Sequence, residues 1–317
     1  MKQILIIQTA YLGDVILATP VASELKRIFP EAEIDFVVKK GNESLLENHI
    51  AIENVFIFDK GRGKRKAIRE LIKSFRGRNY DLAINLHRFG SSGILLARSL
   101  AKKKYGFKQH PLSFLFTKKF EHKIGDGTHE VERNLSIIQE FGAVRITRPS
   151  LYPSIEDLKK IKQYVEGEYY CMAPASVWYT KQLPKHKWIE LIQSLKGKKV
   201  YLLGAPNDKD LCEQIITESN SQTIVNLAGK LSLLQSAELM KSAKRSYVND
   251  SGPLHLASAV NANVTAFFCS TVPEFGFGPL SEDTKIYGVP NLDCRPCGLH
   301  GHKECPKGNF KCGEIIL

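Results

Sequence analysis

Residues 248–259, VNDSGPLHLASA, join the end of one structural element to the start of the next. The run that ends at Asn249 is typical of a short buried strand, and Pro253 suits the first turn of a helix, where its missing N–H costs little. The small residues at 250–252 suit a tight turn between them. The stretch therefore predicts a strand, a turn and a helix, which together form the repeating unit of a parallel α/β sheet.

The same unit recurs on both sides of this stretch. In the second half of the chain, further strands are predicted at Tyr169–Met172, Lys199–Leu203, Thr223–Asn226 and Val264–Phe268. In the first half, strands are predicted at Lys2–Ile7, Glu33–Val38, Asn54–Phe58 and Asp81–Leu86. The first helical pattern, at 15–28, contains Pro20, which predicts a break in the helix with Thr19 as the cap of its second part.

A chain of 317 residues is long for one domain, and its middle contains a charged segment with Pro149 and Pro153 that is typical of a connection. We therefore expect an α/β protein of two Rossmann-like domains, residues 1–155 and 156–317, with parallel sheets that face each other across a cleft. Ligands of such sheets bind beyond the carboxyl ends of the strands. The strand-to-helix turns should therefore carry the chemistry.

The composition excludes several classes of protein. An apolar fraction of 43% is too high for a disordered chain, and 7 cysteines are too few for a disulfide scaffold. Gln8, Gly13 and Asp14 interrupt the apolar run at 4–22, which argues against a signal peptide. The net charge of +12 favours anionic partners. We expect a cytoplasmic protein, either free or bound peripherally at the inner face of the cytoplasmic membrane.

The turn after the first strand carries Gly13 and Asp14. Gly13 permits a left-handed turn, and Asp14 stands at the start of the following helix. The aspartate is either a helix cap, which is a common role at this position, or a general base that faces the cleft. The residues alone leave both roles open.

The turn after Asn249 suits an anion. The free N–H groups of Ser251 and Gly252, together with the helix dipole, predict a phosphate site, and His255 lies one turn further along. The alternative is a capped helix in which Asp250 and Ser251 satisfy the same N–H groups. The two interpretations are compatible, because they use the same residue types.

Basic residues could serve anionic ligands elsewhere in the chain. Lys181 follows the strand at 169–172, where it is a natural partner for a diphosphate. Clusters at 62–69 and 102–104 are either solvated surface or contacts for an anionic acceptor or the inner leaflet. Aromatic residues do not interleave with these charges, so a groove for single-stranded nucleic acid is not indicated.

Four cysteines lie close together near the end of the chain, at Cys294, Cys297, Cys305 and Cys312. They predict a tetrahedral structural zinc site, because a reducing cytoplasm disfavours disulfides. The wide spacing of the second pair leaves unligated thiols as the alternative. A catalytic metal is not expected here, since four thiolates leave no open position on the ion.

Several of these stretches resemble the lipopolysaccharide heptosyltransferase family, glycosyltransferase family 9. The resemblance covers nearly the whole chain, and the stretch at 249–257 is its most specific part. The cysteine-rich tail is similar to that of the heptosyltransferase II branch, whereas Gln8 stands in a region where many members carry arginine. The stretches that carry the resemblance are Leu12–Ile16, Thr19-Pro20, the Lys181 loop, Leu227–Lys230 and Asn249–Ala257.

The resemblance implies a GT-B fold in which the first domain binds the acceptor and the second binds the nucleotide sugar. It implies an inverting, metal-independent transfer of heptose from ADP-L-glycero-D-manno-heptose to the lipopolysaccharide inner core, without a catalytic cofactor. Asp14 would be the general base and Lys181 the catalytic contact to the diphosphate. The donor residues implied are Ser176, Lys181, Gly229, Asp250, Ser251, Gly252 and His255, and those on the acceptor side are Gly13 and Arg88.

Three rival functions stay open on the sequence. The protein could use a different sugar nucleotide or acceptor, or it could be a sugar-nucleotide epimerase of similar fold. It could also be a non-catalytic protein that binds nucleotide or nucleic acid, as the charge of +12 would allow. The heptose position that is extended, the length of the acceptor and the oligomeric state are not set by the sequence.

Overall fold

A computed structural model describes residues 1–316 of the chain. The chain folds into two compact units, and the boundary between them in the sequence lies between Tyr152 and Pro153. Leu317, at which the predicted second domain ends, lies outside the described residues. Within residues 1–316, no helix combines the length and the apolar character that crossing a bilayer requires.

The first unit is built on a six-stranded parallel sheet of order β3-β2-β1-β4-β5-β6. Its strands are β1 Gln3–Gln8, β2 Glu33–Lys39, β3 Asn54–Phe58, β4 Leu82–Asn85, β5 Lys103–Phe107 and β6 Lys118–Phe120. Its helices are α1 Leu12–Ile28, α2 Lys64–Phe75, α3 Ser92–Arg98 and α4 Glu130–Ser136.

The second unit contains another six-stranded parallel sheet, of order β12-β11-β10-β7-β8-β9. Its strands are β7 Tyr169–Ala173, β8 Lys199–Leu202, β9 Ile224–Asn226, β10 Arg245–Asn249, β11 Val264–Phe268 and β12 Thr284–Gly288. Its helices are α5 Ile155–Ile161, α6 Lys185–Ser194, α7 Lys209–Ser219, α8 Leu233–Ser242, α9 Gly252–Ala259 and α10 Lys311–Glu314.

Long runs of the central strands β1 and β11 are buried because both faces of each sheet are covered. In β1, the four residues from Ile4 to Ile7 are fully buried, and every residue of β11 is buried. Such continuous apolar runs are characteristic of parallel sheets with helices on both faces. Burial of these strands is the main stabilising contribution of each core. The two predicted parallel α/β domains are therefore present.

Each sheet has a point at which the order of its strands reverses. In the first unit this point lies between β1 and β4, and in the second it lies between β7 and β10. Loops that leave neighbouring strands on opposite sides of such a point open a crevice at the carboxyl edge of the sheet, where ligands bind. Residues 9–14 and 86–91 meet the first of these points, and residues 174–183 and 250–252 meet the second.

Helix α1 is not broken at Pro20, so the predicted break is wrong. The helix runs without interruption from Leu12 to Ile28, and Pro20 lies inside it. Proline has no N–H to donate to the carbonyl of Ile16, but the Thr19 hydroxyl donates to that carbonyl over 2.8 Å. Thr19 therefore acts within one continuous helix and not as the cap of a second one.

Helix α2 was not predicted from the sequence, because half of its residues are charged. The stretch at 62–69 appears there as a basic surface cluster, yet Ala67, Leu71 and Phe75 are buried. Their spacing of four residues places them on one face of the helix, which packs on the sheet while the basic residues face solvent. Between β2 and β3, the chain forms a single 3-10 turn at Glu43–Leu45.

Candidate active site

The loops after β7 and β10 in the second unit are joined by Asn249. This side chain is fully buried at the end of β10. Its Oδ1 accepts the N–H of Leu183 over 2.8 Å, and its Nδ2 donates to the carbonyl of Pro174 over 2.8 Å. Asn249 thereby fixes both ends of the loop that carries Lys181. From the sequence, Asn249 is predicted only as the end of a strand. A polar amide at the end of a buried strand is the feature that could have indicated its role in holding the two loops.

Lys181 is held by a carboxylate from the neighbouring loop. Its Nζ lies 2.7 Å from Oδ2 of Asp250, and the two side chains are only 15% and 6% exposed. The hydroxyl of Thr271 donates to the same oxygen over 2.5 Å. Asp250 therefore gives the Lys181 ammonium group a fixed counter-charge beside the predicted phosphate site. The role of Asp250 as a donor-binding residue stays a prediction.

The start of α9 has no side-chain cap. Ser251 is the N-cap residue in an extended conformation, but its side chain makes no cap hydrogen bond and instead donates to the carbonyl of Asn249 over 3.4 Å. The carboxylate of Asp250 is occupied by Lys181 and Thr271. The capped-helix interpretation is therefore wrong in its detail. Pro253 has no N–H and the N–H of Leu254 donates to the carbonyl of Ser251 over 3.0 Å, so the anion-binding character of this helix N-terminus rests on the N–H of Gly252 and on the helix dipole.

His255 lies one turn inside α9 and is buried. Its ring centroid is 6.4 Å from that of Phe277, at an interplanar angle of 68°. The side chain is therefore enclosed by protein, and its role at the predicted phosphate site stays a prediction.

Two further predicted donor residues lie in neighbouring loops. Ser176 is half-buried, and its carbonyl accepts the side-chain amide of Gln182 over 2.6 Å. Gly229 has a φ of 74°, and its N–H donates to the carbonyl of Gly204 over 2.9 Å. A Cβ at Gly229 would lie 2.9 Å from Cα of Pro206, so glycine is required where the loop after β9 touches the loop after β8.

Asp14 lies in the first turn of α1 in the first unit. Its Oδ2 accepts the N–H of Tyr11 over 3.1 Å, so it does act as a cap. Burial raises the pKa of its carboxyl group to about 6, and Glu130 adds to this effect, while the Tyr11 N–H and Arg88 oppose it. A carboxyl group with this pKa can accept a proton near neutral pH. The geometry is thus compatible with both predicted roles.

Gly13 does not form the left-handed turn predicted for it. It lies within the first turn of α1 and is absent from the residues with positive φ. The physical reason is that the helix begins at Leu12, before the glycine. Gly13 therefore has an ordinary helical conformation beside Asp14.

Glu130 is a buried carboxylate that sequence reasoning missed. It accepts from Nε2 of His122 over 3.0 Å and from Nη1 of Arg133 over 2.9 Å. Burial favours its neutral form, but the hydrogen bonds and charges of His122 and Arg133 prevail and hold its pKa below the usual range. Glu130 therefore carries a negative charge close enough to affect Asp14. No spacing in the sequence connects residue 130 with residue 14.

Arg88 follows β4, on the other side of the strand-order reversal from Asp14. It is half-buried, and burial lowers its pKa, whereas Glu130 and Asp14 favour its charged form. Its neighbour His87 faces Thr9 across the reversal, with 2.9 Å between Nδ1 and Oγ1. Burial lowers the pKa of His87 to about 4. The only cation of this pair at neutral pH is therefore Arg88.

The cysteine-rich tail does not form the predicted zinc site. All four cysteines are free thiols, and no group of three or more His, Cys, Asp or Glu side chains within residues 1–316 is arranged to hold a metal ion. Cys305 Sγ instead accepts the N–H of Phe310 over 3.3 Å, and Cys297 Sγ donates to the carbonyl of Cys294 over 2.9 Å. Burial raises the pKa of Cys312 to about 11. Two of the four thiols, those of Cys297 and Cys305, are bonded to backbone groups, which fits the alternative of unligated cysteines.

Comparisons with known proteins place the chain among glycosyltransferases. The sequence model of glycosyltransferase family 9 (heptosyltransferase) matches residues 68–309. Lipopolysaccharide heptosyltransferase 3 of Escherichia coli K12 is 31% identical over 305 residues, covering 90% of this chain and 88% of that protein. Lipopolysaccharide heptosyltransferase 2 of the same organism is 23% identical, covering 90% and 87%. The type 3 relative is more similar than the type 2 relative, whereas the tail had indicated the type 2 branch.

A solved structure has the same fold. The structure of E. coli ADP-heptose lps heptosyltransferase II superposes with a TM-score of 0.78 and 22% identity, and the match covers 94% of this chain and 96% of that one. This likeness confirms the predicted GT-B class, with one parallel sheet in each of two units.

Proposed function

Because the chain belongs to glycosyltransferase family 9 (heptosyltransferase), we propose that it transfers L-glycero-D-manno-heptose from an ADP donor to the inner core of lipopolysaccharide. We further propose that the anomeric configuration is inverted and that no metal ion takes part. The observation that carries the proposal is the pairing of Lys181 with Asp250 beside the uncapped start of α9. A cation and a helix N-terminus at the strand-order reversal of the second unit suit a nucleotide diphosphate.

The donor diphosphate has three sources of stabilisation in this proposal. Lys181 supplies a positive charge, the Gly252 N–H and the dipole of α9 supply an oriented positive end, and the Ser251 hydroxyl can turn from the Asn249 carbonyl to a phosphate oxygen. Ser176 and Gly229 line the neighbouring loops, where the sugar and the nucleoside would lie. His255 supports the base of the site. Charge that develops on the departing ADP is thereby offset by protein groups.

Asp14 is the proposed general base. Inversion at the anomeric carbon requires the acceptor hydroxyl to lose its proton as it attacks, while ADP leaves from the opposite side. The raised pKa of Asp14, about 6, makes it a stronger base than an ordinary aspartate and still leaves it ionised at neutral pH. Relatives named as lipopolysaccharide heptosyltransferases support this reaction. The bond from the heptose C1 to the acceptor oxygen forms as the bond to the ADP phosphate breaks.

The first unit is proposed to bind the acceptor. Arg88 and Gly13 lie at its strand-order reversal beside Asp14, and Arg88 can pair with an anionic group of the inner core. The exposed basic residues of α2 extend the positive surface of the same unit. Because such an acceptor is anchored in a membrane, we include peripheral contact with the inner face of the cytoplasmic membrane in the proposal. Sedimentation with anionic and with neutral vesicles tests this contact, since only the anionic ones should bind.

One incubation tests the proposal as a whole. The purified protein is mixed with ADP-heptose and inner-core acceptors of defined length, and the products are analysed by mass spectrometry and by NMR of the new anomeric centre. We expect one added heptose, inverted configuration and unchanged turnover in excess EDTA. Product formation with UDP- or GDP-sugars in place of ADP-heptose would favour a different donor. Binding of generic duplex DNA without ADP binding would favour a nucleic-acid protein.

A further inference from the structure

The cysteine-rich tail lies directly against the loop that carries Lys181. The N–H of Thr180 donates to the carbonyl of His302 over 3.1 Å, and the N–H of His302 donates back to the Thr180 hydroxyl oxygen over 2.8 Å. The same hydroxyl accepts from Ser270 over 3.0 Å. Thr180 is thereby fixed from two directions, and it immediately precedes Lys181. The tail is therefore part of the wall behind the proposed diphosphate site.

Gly301 makes the closest approach between the tail and the lysine. Its φ is 75°, and a Cβ built there would lie 2.9 Å from Cγ of Lys181, 3.1 Å from the Thr180 hydroxyl oxygen and 3.2 Å from Cβ of Trp178. Real Cβ atoms do not approach other heavy atoms within 3.0 Å, so the lysine stem occupies the space that any other residue would need. The backbone of the tail thus packs on the aliphatic part of Lys181.

A second contact links the tail to the other end of the lysine. The Arg295 guanidinium donates to four carbonyls at the ends of β11 and β12, including that of Thr271 over 2.7 Å. The Thr271 hydroxyl in turn donates to the Asp250 oxygen that holds Lys181 Nζ. Within the tail, the His302 ring contacts the carbonyl of Cys297 over 2.5 Å, which closes the turn at 297–302.

We propose that residues 295–302, here called the tail brace, position Lys181 for the donor diphosphate. Gly301 supports the lysine stem, and Arg295 acts through Thr271 and Asp250 on the ammonium group. A lysine side chain has four rotatable bonds, and restraint at both ends removes before binding the conformational freedom that it would otherwise lose on binding. The residues of the brace are positioning residues. The inference rests on the proposed function, in which Lys181 contacts the donor.

A matched pair of glycine variants tests the brace. Gly301→Ala and Gly308→Ala impose similar backbone strain, because their φ angles are 75° and 71°, but a Cβ at Gly308 meets nothing within 4 Å. We expect Gly301→Ala to weaken ADP binding in calorimetry by roughly tenfold relative to Gly308→Ala and to raise the donor KM more than it lowers kcat. Equal ADP affinities for the two variants would overturn the brace.

The loss of ADP affinity in Gly301→Ala must also depend on Lys181. In a Lys181→Ala background, Gly301→Ala should cause no further loss of ADP affinity, because the group that it displaces is gone. A loss as large as in the wild-type background would show that Gly301 acts elsewhere and would refute the proposal. If Gly301→Ala does not fold, Thr180→Val, which removes the acceptor for the His302 N–H, takes its place in both backgrounds.

A readout without nucleotide separates the brace from the proposed function. Lys181 should react faster with a lysine-selective acylating reagent in Gly301→Ala than in Gly308→Ala, as measured by peptide mass spectrometry. Equal labelling rates would refute the brace even if ADP binds. If the wild-type protein does not bind ADP, the proposed donor is wrong, and the labelling rates still decide whether the tail positions Lys181.

Discussion

Lys181 and Asp250 form an ion pair 2.7 Å long across two loops of the second unit, in a position that is largely shielded from water. An isolated buried charge is unfavourable, so each partner makes the burial of the other tolerable. The pair has one feature that a purely structural ion pair lacks, because it lies beside a helix start without a side-chain cap. An anionic ligand at that start would give the ammonium group a second partner.

Substitution of Asp250 should therefore make stability depend on the nucleotide. In Asp250→Asn the ammonium group loses its counter-charge, and we expect the Tm of the free protein to fall. ADP should then raise the Tm of the variant more than that of the wild type, because its phosphates replace the missing negative charge. Thermal unfolding with and without ADP measures both effects. Lys181→Met is the control, since it should abolish most of the ADP-induced shift; a smaller ADP shift in Asp250→Asn than in the wild type would contradict this account.

The Asp14→Asn substitution should separate activity from stability. We expect turnover to fall by at least ~100-fold, because a positioned carboxylate base contributes about 10²–10⁴-fold to proton transfer. The fold should not weaken at pH 7.5, since asparagine keeps an acceptor for the Tyr11 N–H and removes a charge that burial disfavours. Steady-state kinetics and thermal unfolding check the two parts. Near-normal turnover would assign the base to another residue.

The raised pKa of Asp14 also predicts how its effect on stability changes with pH. Its folded-state pKa of about 6 exceeds the ordinary value near 3.8, so the folded state favours the protonated form. The contribution of Asp14 to the free energy of unfolding is therefore fully present below about pH 4 and is lost as the pH rises through 6. The Tm difference between Asp14→Asn and wild type should therefore grow in favour of the variant between pH 5 and pH 7.5. A constant difference would mean that Asp14 titrates normally.

The rate of transfer should follow the same titration. We expect kcat/KM to rise with pH and to level off above an apparent pKa of about 6, since only the ionised carboxylate accepts the proton. Glu130→Gln should lower this apparent pKa, because it removes the negative charge that helps to keep Asp14 protonated. The native Glu130 carboxylate is bonded to His122 and Arg133, so circular dichroism must first show that the variant folds. An unchanged profile in a folded Glu130→Gln would exclude Glu130 from this role.

The strands of the fold were predictable from local sequence because their signals are local. The largely apolar run of β11 gave its bounds directly, as buried parallel strands are rich in apolar residues. Helix α1 was less predictable, because the proline rule assumes that the freed carbonyl has no other donor. In this protein the Thr19 hydroxyl supplies that donor. Helix α2 was missed because its three buried positions are few among many charges.

The candidate site was predictable only where its residues are adjacent in the chain. The stretch at 249–255 gave the turn and the helix start, and both are present. The contacts of Lys181 with Asp250 and of Gly301 with Lys181 join residues that are far apart in sequence, so no local pattern reports them. The effect of Glu130 on Asp14 is of the same kind. The zinc site predicted from the cysteine spacing has no counterpart within residues 1–316, because spacing along the chain does not fix the geometry of four thiols.

The stability of the first unit should depend on the hydrogen bonds of Asp35, which is fully buried in β2. Its carboxylate accepts from the Tyr80 hydroxyl over 2.6 Å, from Arg78 over 2.9 Å and from Asn54 over 2.8 Å. Burial and the bond to Asp35 raise the pKa of Tyr80, so its hydroxyl stays a donor at every practical pH. Tyr80→Phe should therefore cost about 1.5–3 kcal/mol, the contribution of a hydrogen bond to a charged group.

Urea unfolding followed by circular dichroism measures this cost as a lower midpoint for the first unit. Tyr11→Phe is the matched control, because its side chain is 59% exposed and its hydroxyl can bond to water in the unfolded and folded states alike. We expect the control to change the midpoint by less than the error of the measurement. A Tyr80→Phe variant as stable as this control would mean that Arg78 and Asn54 alone satisfy the buried carboxylate.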